Sequence, residues 1–473
     1  MQKDYRTGRV VGLATSAALG GFLFGYDSAV INGASSAIKT TFGLGDFALG
    51  FVVSIALVGS AIGAWFAGYL ADRYGRQPVM LFAAGLFMLA AVGQAFPFAV
   101  ADLVFWRFIG GAGIGVASVM APMYISEIAP APMRGRMSSL QQFAIVIGIF
   151  ATGLINWLIL NASGGSALND WLFGLPAWQW MFLTMTVPAA VYGLLALRLP
   201  ESPRFLVQMG EEDQAKDVLR QIYTAEPDLR VAEIKSSMQG EHRSSIKDLR
   251  GTRFGLMPLV WIGIILSAFQ QFVGINAVFY YSNTIWESVG FSEDQAFQTS
   301  LITTGVNVAF TVVAIALVDR VGRKPLLLVG SIGMVITLAI LTYVFGTAPI
   351  GADGTPILTD GPDVVAMFSF NIYVAFFAAT WGPVVWVLLG EMFPNRLRAA
   401  ALALAVAAQW TANFIVSTAF PPIAGKSLGI AYGIFTVFAL LSIPFVLRKI
   451  KETKGIELED MDDLESNSLL RAG

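Results

Sequence analysis

Two ionisable residues stand inside long apolar runs: Asp27 in GGFLFGYDSAVING (Gly20 to Gly33) and Arg107 in FWRFIGG. Burying a charge there costs a few kcal/mol or more, so such residues are rare and are usually paired or functional. A carboxylate beside a guanidinium stays ionised. Separated from it in an apolar medium, the same carboxylate takes a proton. The chemistry on offer is proton binding tied to a change of partner; the alternative is a fixed pair that only sets packing. A second set of residues is neutral. Gln270, Gln271 and Asn276 are followed by Tyr280 and Tyr281, Asn307 stands alone, Trp386 follows Trp381-Gly382-Pro383, and Gln409, Trp410 and Asn413 form a third group. An amide both donates and accepts, and aromatic faces cover apolar surface, so together they suit a ligand rich in hydroxyls. Each alone reads equally as interhelical hydrogen bonding or packing.

The elements that position them follow from composition. The 473 residues are 56% hydrophobic and 13% charged, where a soluble domain carries about 25% charge. A large soluble α/β enzyme is the losing reading, because apolar runs near the ~20-residue spanning length recur from end to end. Cysteine is absent and His242 is the single histidine. That excludes disulfides, thiolate metal sites and Cys nucleophiles, and leaves no histidine cluster or Ser-His-Asp triad for the membrane. His242 reads as a solvated loop residue. A net charge of −2 gives no basic surface for nucleic acid. No nucleophile–base pair or Walker box is visible, and neither a cofactor nor a metal is expected. The first apolar run follows MQKDYRTGR without a small-residue cleavage site and reads as a retained span.

Charged and Pro/Gly-rich punctuation divides the chain into twelve apolar segments, six on each side of a polar stretch from Arg198 to Arg253 with helical patterning. The expected fold is an all-α membrane protein. It has an N-terminal six-helix half (1–197), a cytoplasmic helical linker (198–253), a C-terminal six-helix half (254–448) and a cytoplasmic tail (449–473). With the N-terminus inside, 27 of the 30 Lys and Arg fall on inner segments, two (Lys39 and Lys426) on outer loops and one, Arg107, in a span. This asymmetry places both termini in the cytoplasm. Asp27 then lies about six residues before the outer end of its span and Arg107 about six after the outer end of its own, each roughly 9 Å below the outer surface. Equal depth and opposite sign allow an ion pair.

The halves repeat. DRYGRQP (Asp72 to Pro78) matches DRVGRKP (Asp319 to Pro325) at an offset of 247, and Glu127 and Arg134 match Glu391 and Arg398 at 264. The boxes PESPR (Pro200 to Arg204) and KETKG (Lys451 to Gly455) follow the two halves. Parallel six-span copies point to a rocking transporter.

GYLADRYGRQP resembles the loop signature between spans two and three of the major facilitator superfamily. PESPRFL, the RGR and RLR boxes, QQFVGINAVFYYS and ETKG resemble the sugar porter family within it, and the bacterial proton-coupled monosaccharide symporters of the xylose and glucose type. The resemblance runs from about Gly20 to Gly455. It implies twelve transmembrane helices in two pseudo-symmetric halves. It implies sugar contacts from Gln270, Gln271, Asn276, Asn307, Trp386, Gln409 and Trp410, and from Gln142 in the first half; Tyr280, just beyond Asn276, and Phe24 are further candidates for lining the pocket. It also implies a proton site at Asp27, where uncoupled relatives carry a neutral residue. Asp72, Arg73, Arg76, Glu127, Arg134, Arg136, Glu201, Arg204, Asp319, Arg320, Arg323, Glu391 and Arg398 are expected to form a cytoplasmic gate network. A solvated face would leave each of them worth little; repetition in both halves favours the network. The tail departs from the family at KETKG, where many members read PETKG.

The expected function is import of a monosaccharide with a proton by alternating access. The expected partners are sugar, proton and lipid bilayer, the location is the inner membrane, and the working unit is a monomer. Competing readings are an uncoupled facilitator with a structural Asp27–Arg107 pair, a sugar sensor, which the short tail disfavours, and a drug exporter, which the amide set disfavours.

Overall fold

In the computed structural model, the residues described are 5–130, 133–224, 227–239, 246–251, 255–349, 357–358, 361–393 and 397–454. His242 and the chain beyond residue 454 lie outside them. The chain divides into two compact units, Met1–Glu241 and His242–Gly473. Among the described residues twelve helical segments are long and apolar enough to cross a membrane, six in each unit. Strands are absent among them, apart from two isolated bridges, Tyr5 with Tyr223 and Asp170 with Pro176.

The first unit holds α1 (Thr7–Thr41), α2 (Asp46–Tyr74), α3 (Arg76–Ala95), α4 (Val100–Ile128) and α5 (Arg134–Ala162). Its sixth span is built from α6 (Ala177–Leu183) and α7 (Thr186–Ala196). Pro188 has no N–H to offer the Thr184 carbonyl, which explains the interruption. α1 packs on α4 and α5, α2 on α4, and α3 on α4 and α7. Small residues let α2 and α4 touch at backbone level: Gly59 and Gly63 lie on the Phe108–Ala112 backbone, and Gly111 and Gly115 on Ala56 and Ser60. Three short polar helices follow, α8 (Pro203–Gln208), α9 (Glu212–Ile222) and α10 (Pro227–Gln239). Ser202 caps α8 by accepting from the N–H groups of Arg204 and Phe205. α9 buries Ala215, Val218, Leu219 and Ile222, one stripe of an amphipathic helix. The N-terminus of the chain is tied to it, because Arg6 N donates to Ile222 O at 2.8 Å and Arg9 Nη2 to Gln221 Oε1 at 2.6 Å.

The second unit repeats the packing. Its spans are α11 (Pro258–Phe272) with α12 (Ile275–Glu287), then α13 (Glu293–Val321), α14 (Arg323–Gly346), α15 (Pro362–Ala379) with α16 (Trp381–Glu391), α17 (Arg398–Ala424) and α18 (Leu428–Lys449). α11 and α12 pack on α17, α13 on α15, and α14 on α15 and α18, the counterparts of the first unit's pairs. Two spans are broken in mid-course. Gly274, at φ +90°, separates α11 from α12, and Thr380, at φ −135° and ψ −88°, separates α15 from α16. The second break falls one residue before the Trp381-Gly382-Pro383 triplet that signals it in the sequence. Faces turned away from the core stay apolar; on α14, Ile332, Ile336 and Ile340 form an exposed stripe at helical spacing. In a water-soluble protein such stripes on span after span are a liability, and in a bilayer they are the contact surface.

Candidate functional site

Three clusters emerge. The first joins α1, α2, α3 and α4 of the first unit. Asp27 and Arg107 are 0% and 2% exposed, and Arg107 Nη1 lies 3.6 Å from Asp27 Oδ1. The structure thus brings together the two span charges. It also shows that the pair is loose, because 3.6 Å exceeds hydrogen-bond reach. The guanidinium gives its hydrogen bonds to neutral oxygens instead: Nη1 to Gln94 Oε1 at 3.3 Å and to the main-chain oxygen of Asp27 at 3.4 Å, and Nη2 to Val53 O at 3.2 Å. Among the described residues, neither carboxylate oxygen of Asp27 has a hydrogen-bond partner. A buried carboxylate with both oxygens open retains the capacity to bind a proton. Gln94 was not singled out from the sequence; the signal was an amide inside AAVGQAF.

The second cluster lies in the second unit at the two helix breaks. Gln270, in the last turn of α11, sends Nε2 to the carbonyls of Trp381 and Gly382, both at 3.0 Å. These carbonyls belong to the first two residues of α16, so the glutamine adds a second donor to carbonyls at the start of that helix and ties α11 to the break. Gln270 Oε1 in turn accepts from Gln409 Nε2 of α17 and from Gln271 Nε2, and Gln271 Oε1 accepts from Asn276 Nδ2 across the Gly274 break. Four of the expected ligand amides therefore form one chain, Gln409–Gln270–Gln271–Asn276. Gln409 Oε1 is buried and has no partner among the described residues. Tyr280 and Asn307 are buried on α12 and α13, Trp410 is half-buried beside Gln409, and Trp386 is 42% exposed on α16. Asn413 is buried one turn beyond Gln409 and accepts from Ser417 Oγ at 3.0 Å. Phe24 on α1 and Gln142 on α5, in the first unit, are both half-buried.

The third cluster occurs twice, once per unit. Arg76 donates from Nε and Nη2 to the two Glu127 oxygens at 2.9 and 2.7 Å, and from Nη1 to Ala71 O at 3.0 Å. Glu201 accepts from the backbone N–H groups of Arg76 and Gln77 at 2.9 and 3.1 Å. In the second unit, Arg323 holds Glu391 and Val318 O in the same way, and Glu452 takes the N–H groups of Arg323 and Lys324, both at 3.0 Å. Gly75 and Gly322 form the turns at φ +93° and +103°, a region costly for other residues. Each also leaves the space its acid fills, since a Cβ on Gly322 would stand 2.7 Å from Glu452 Oε2. Glu452 is a residue the sequence reading omitted, although KETKG already matched PESPR.

Not every expected gate residue joins. Asp72 is exposed, 3.9 Å from Arg76. Arg73 bonds Tyr69 and lies over the Tyr74 ring. Arg204 is half-buried on α8, and Arg320 is exposed, its carbonyl accepting from Lys454 Nζ. The side chains of Arg134, Arg136, Asp319 and Arg398 lie outside the described residues.

The family described as sugar (and other) transporter matches residues 13–464. The chain belongs to the sugar transporter family. The match spans both units and all three clusters, so this family member is a membrane transporter, not an enzyme, with the twelve-helix fold of the major facilitator superfamily. It is 52% identical to the glucose transport protein of Synechocystis, over 94% of this chain and 95% of that one. It is 38% identical to the D-xylose-proton symporter of Escherichia coli K12, over 98% and 97%. Among solved structures it resembles the inward-open conformation of the E. coli xylose transporter XylE, with a TM-score of 0.82 and 36% identity, covering 96% of this chain and 99% of that one.

Proposed function

We propose that this sugar transporter imports a monosaccharide of the glucose or xylose type together with a proton, by alternating access. The observation that carries the coupling is Asp27, fully buried 3.6 Å from Arg107 with both carboxylate oxygens open. The likeness to a glucose transport protein and to a D-xylose-proton symporter supports the substrate class. In this reading the amide chain around Gln270 receives the sugar hydroxyls, with Gln409 Oε1 as a ready acceptor, and the aromatic residues Tyr280, Trp386 and Trp410 cover the sugar's apolar faces. Asn307, Gln142 and Phe24 complete the set of contacts. Proton binding at Asp27 loosens it from Arg107 and permits the change of state. The paired arginine–glutamate clusters act at the cytoplasmic ends of the spans and rearrange as the transporter opens inward. Both termini lie in the cytoplasm, the membrane is the inner (plasma) membrane, the apolar stripes face its lipid, and one chain is the working unit.

The test is sugar-driven proton movement. Proteoliposomes given external glucose or xylose are expected to make the outer medium more alkaline as they accumulate the sugar. Sugar entry without any pH change would leave the uncoupled facilitator as the reading.

A further inference from the structure

Gln94 is a fully buried amide on the last turn of α3. Its two ends face two different parts of the proposed proton site. Oε1 accepts from Arg107 Nη1 at 3.3 Å, and Nε2 donates to Trp106 O at 3.4 Å. Gly110 keeps the other side open. A Cβ there would stand 2.9 Å from Gln94 Nε2 and 2.9 Å from Asp27 Oδ2, so the amide nitrogen and the carboxylate oxygen flank the same point. Arg107 therefore has a neutral acceptor beside its charged one, and Asp27 has an amide donor close by.

We propose that Gln94 is a positioning residue for proton coupling, an exchange partner that holds the Arg107 guanidinium while Asp27 gains or loses its proton. This rests on the symport reading. The physical need is plain: a buried guanidinium whose counter-charge is neutralised is costly, so without a further side-chain acceptor the proton would reach Asp27 at greater expense. An amide lowers that cost, because it accepts from Arg107 with one end and offers a donor to the carboxylate with the other, without adding charge. Gln94 thereby sets how firmly Arg107 grips Asp27.

Among the described residues, the charged side chains at this point are Asp27 and Arg107 themselves. Tyr26, beside Asp27, bonds Thr184 through its hydroxyl, and Tyr192 of α7 has its hydroxyl against Gly20, about two turns before Asp27 on α1. On α4, Asp102 accepts from Phe98 N, and Tyr124 and Glu127 stand near the opposite end, where Tyr124 donates to Pro200 O. The charged groups of α2 and α3, Asp46, Asp72, Arg73 and Arg76, and the tyrosines Tyr69 and Tyr74 lie towards the helix ends. The only charged residues in the sequences of α5 and α6 are Arg134 and Arg136, at the first turn of α5.

The experiment measures initial sugar uptake against pH in proteoliposomes, for wild type, Gln94→Met and Gln94→Glu. Counterflow at fixed pH serves as the control for a folded, sugar-binding protein. Gln94→Met removes the neutral side-chain acceptor, leaves Asp27 as the side chain facing Arg107 and is expected to move the uptake profile to lower pH by about one unit, a tenfold higher proton concentration. Gln94→Glu competes for Arg107 and is expected to move it the other way. Profiles of both variants lying on that of wild type, with counterflow intact, would overturn the role of Gln94 while symport stands. A wild-type protein whose uptake neither depends on pH nor moves protons would overturn the symport reading and Gln94's role with it.

Discussion

The guanidinium of Arg323 holds the carboxylate of Glu391 through two hydrogen bonds, of 2.6 and 3.0 Å. The same fork joins Arg76 to Glu127 in the other unit, but there the side chains are more buried, 4% and 8% exposed against 10% and 27%. Bidentate geometry is shared, so burial decides the difference. Glu127→Gln is expected to destabilise by about 3 kcal/mol, because it leaves Arg76 buried without its counter-charge. Glu391→Gln is expected to cost less, since water still reaches that pair. Thermal unfolding of both variants in detergent checks the order.

Glu452 gives a pH-dependent clasp on the tail. Partial burial works to raise its pKa, and the backbone N–H groups of Arg323, Lys454, Lys324 and Thr453 outweigh it and hold the carboxyl below the ordinary glutamate range. A carboxylate lowered in the folded state contributes fully above its unfolded value of about 4.3, and the contribution is lost as pH falls through the lower folded value. Protection from hydrogen exchange in residues 450–454, relative to intrinsic rates, is therefore expected to fall as pH drops below that range. Glu452→Gln is expected to show the raised exchange, corrected for intrinsic rates, at every pH. A tail equally protected in both proteins would show that the clasp adds nothing.

Gln270 links the amide chain to the Thr380 break through two carbonyls. Gln270→Leu removes both of these hydrogen bonds, unties α11 from the start of α16 and cuts Gln409 from Gln271. Gln409→Leu removes only one end of the chain. Loss of sugar affinity is expected to be about 100-fold for the first and nearer tenfold for the second, each tenfold being about 1.4 kcal/mol. Equilibrium binding of glucose and xylose in detergent measures both. Equal losses would show that the chain does not act through Gln270.

Much of this was legible in the chain. The spans announced themselves by length and apolarity, and Asp27 and Arg107 by being charges where charge is costly. The repeated DRxGR boxes marked the turns at Gly75 and Gly322. What stayed hidden depended on three-dimensional proximity. Nothing in AAVGQAF says that Gln94 meets Arg107, 13 residues on and in another helix. Glu452 reads as a surface charge until the chain brings it to Gly322, 129 residues from its partner Arg323 N. Arg73, one of the repeated charges, turns instead to tyrosine rings on its own helix, because a box match gives no side-chain direction.

The most direct measurement compares wild type with Asp27→Asn in proteoliposomes, recording external pH and sugar content after adding glucose or xylose. Asparagine fits the same space but cannot take up a proton. The wild type is expected to alkalinise the medium and accumulate sugar, and Asp27→Asn to do neither while still exchanging sugar for sugar. A variant that accumulates sugar and moves protons as the wild type does would contradict a proton site at Asp27.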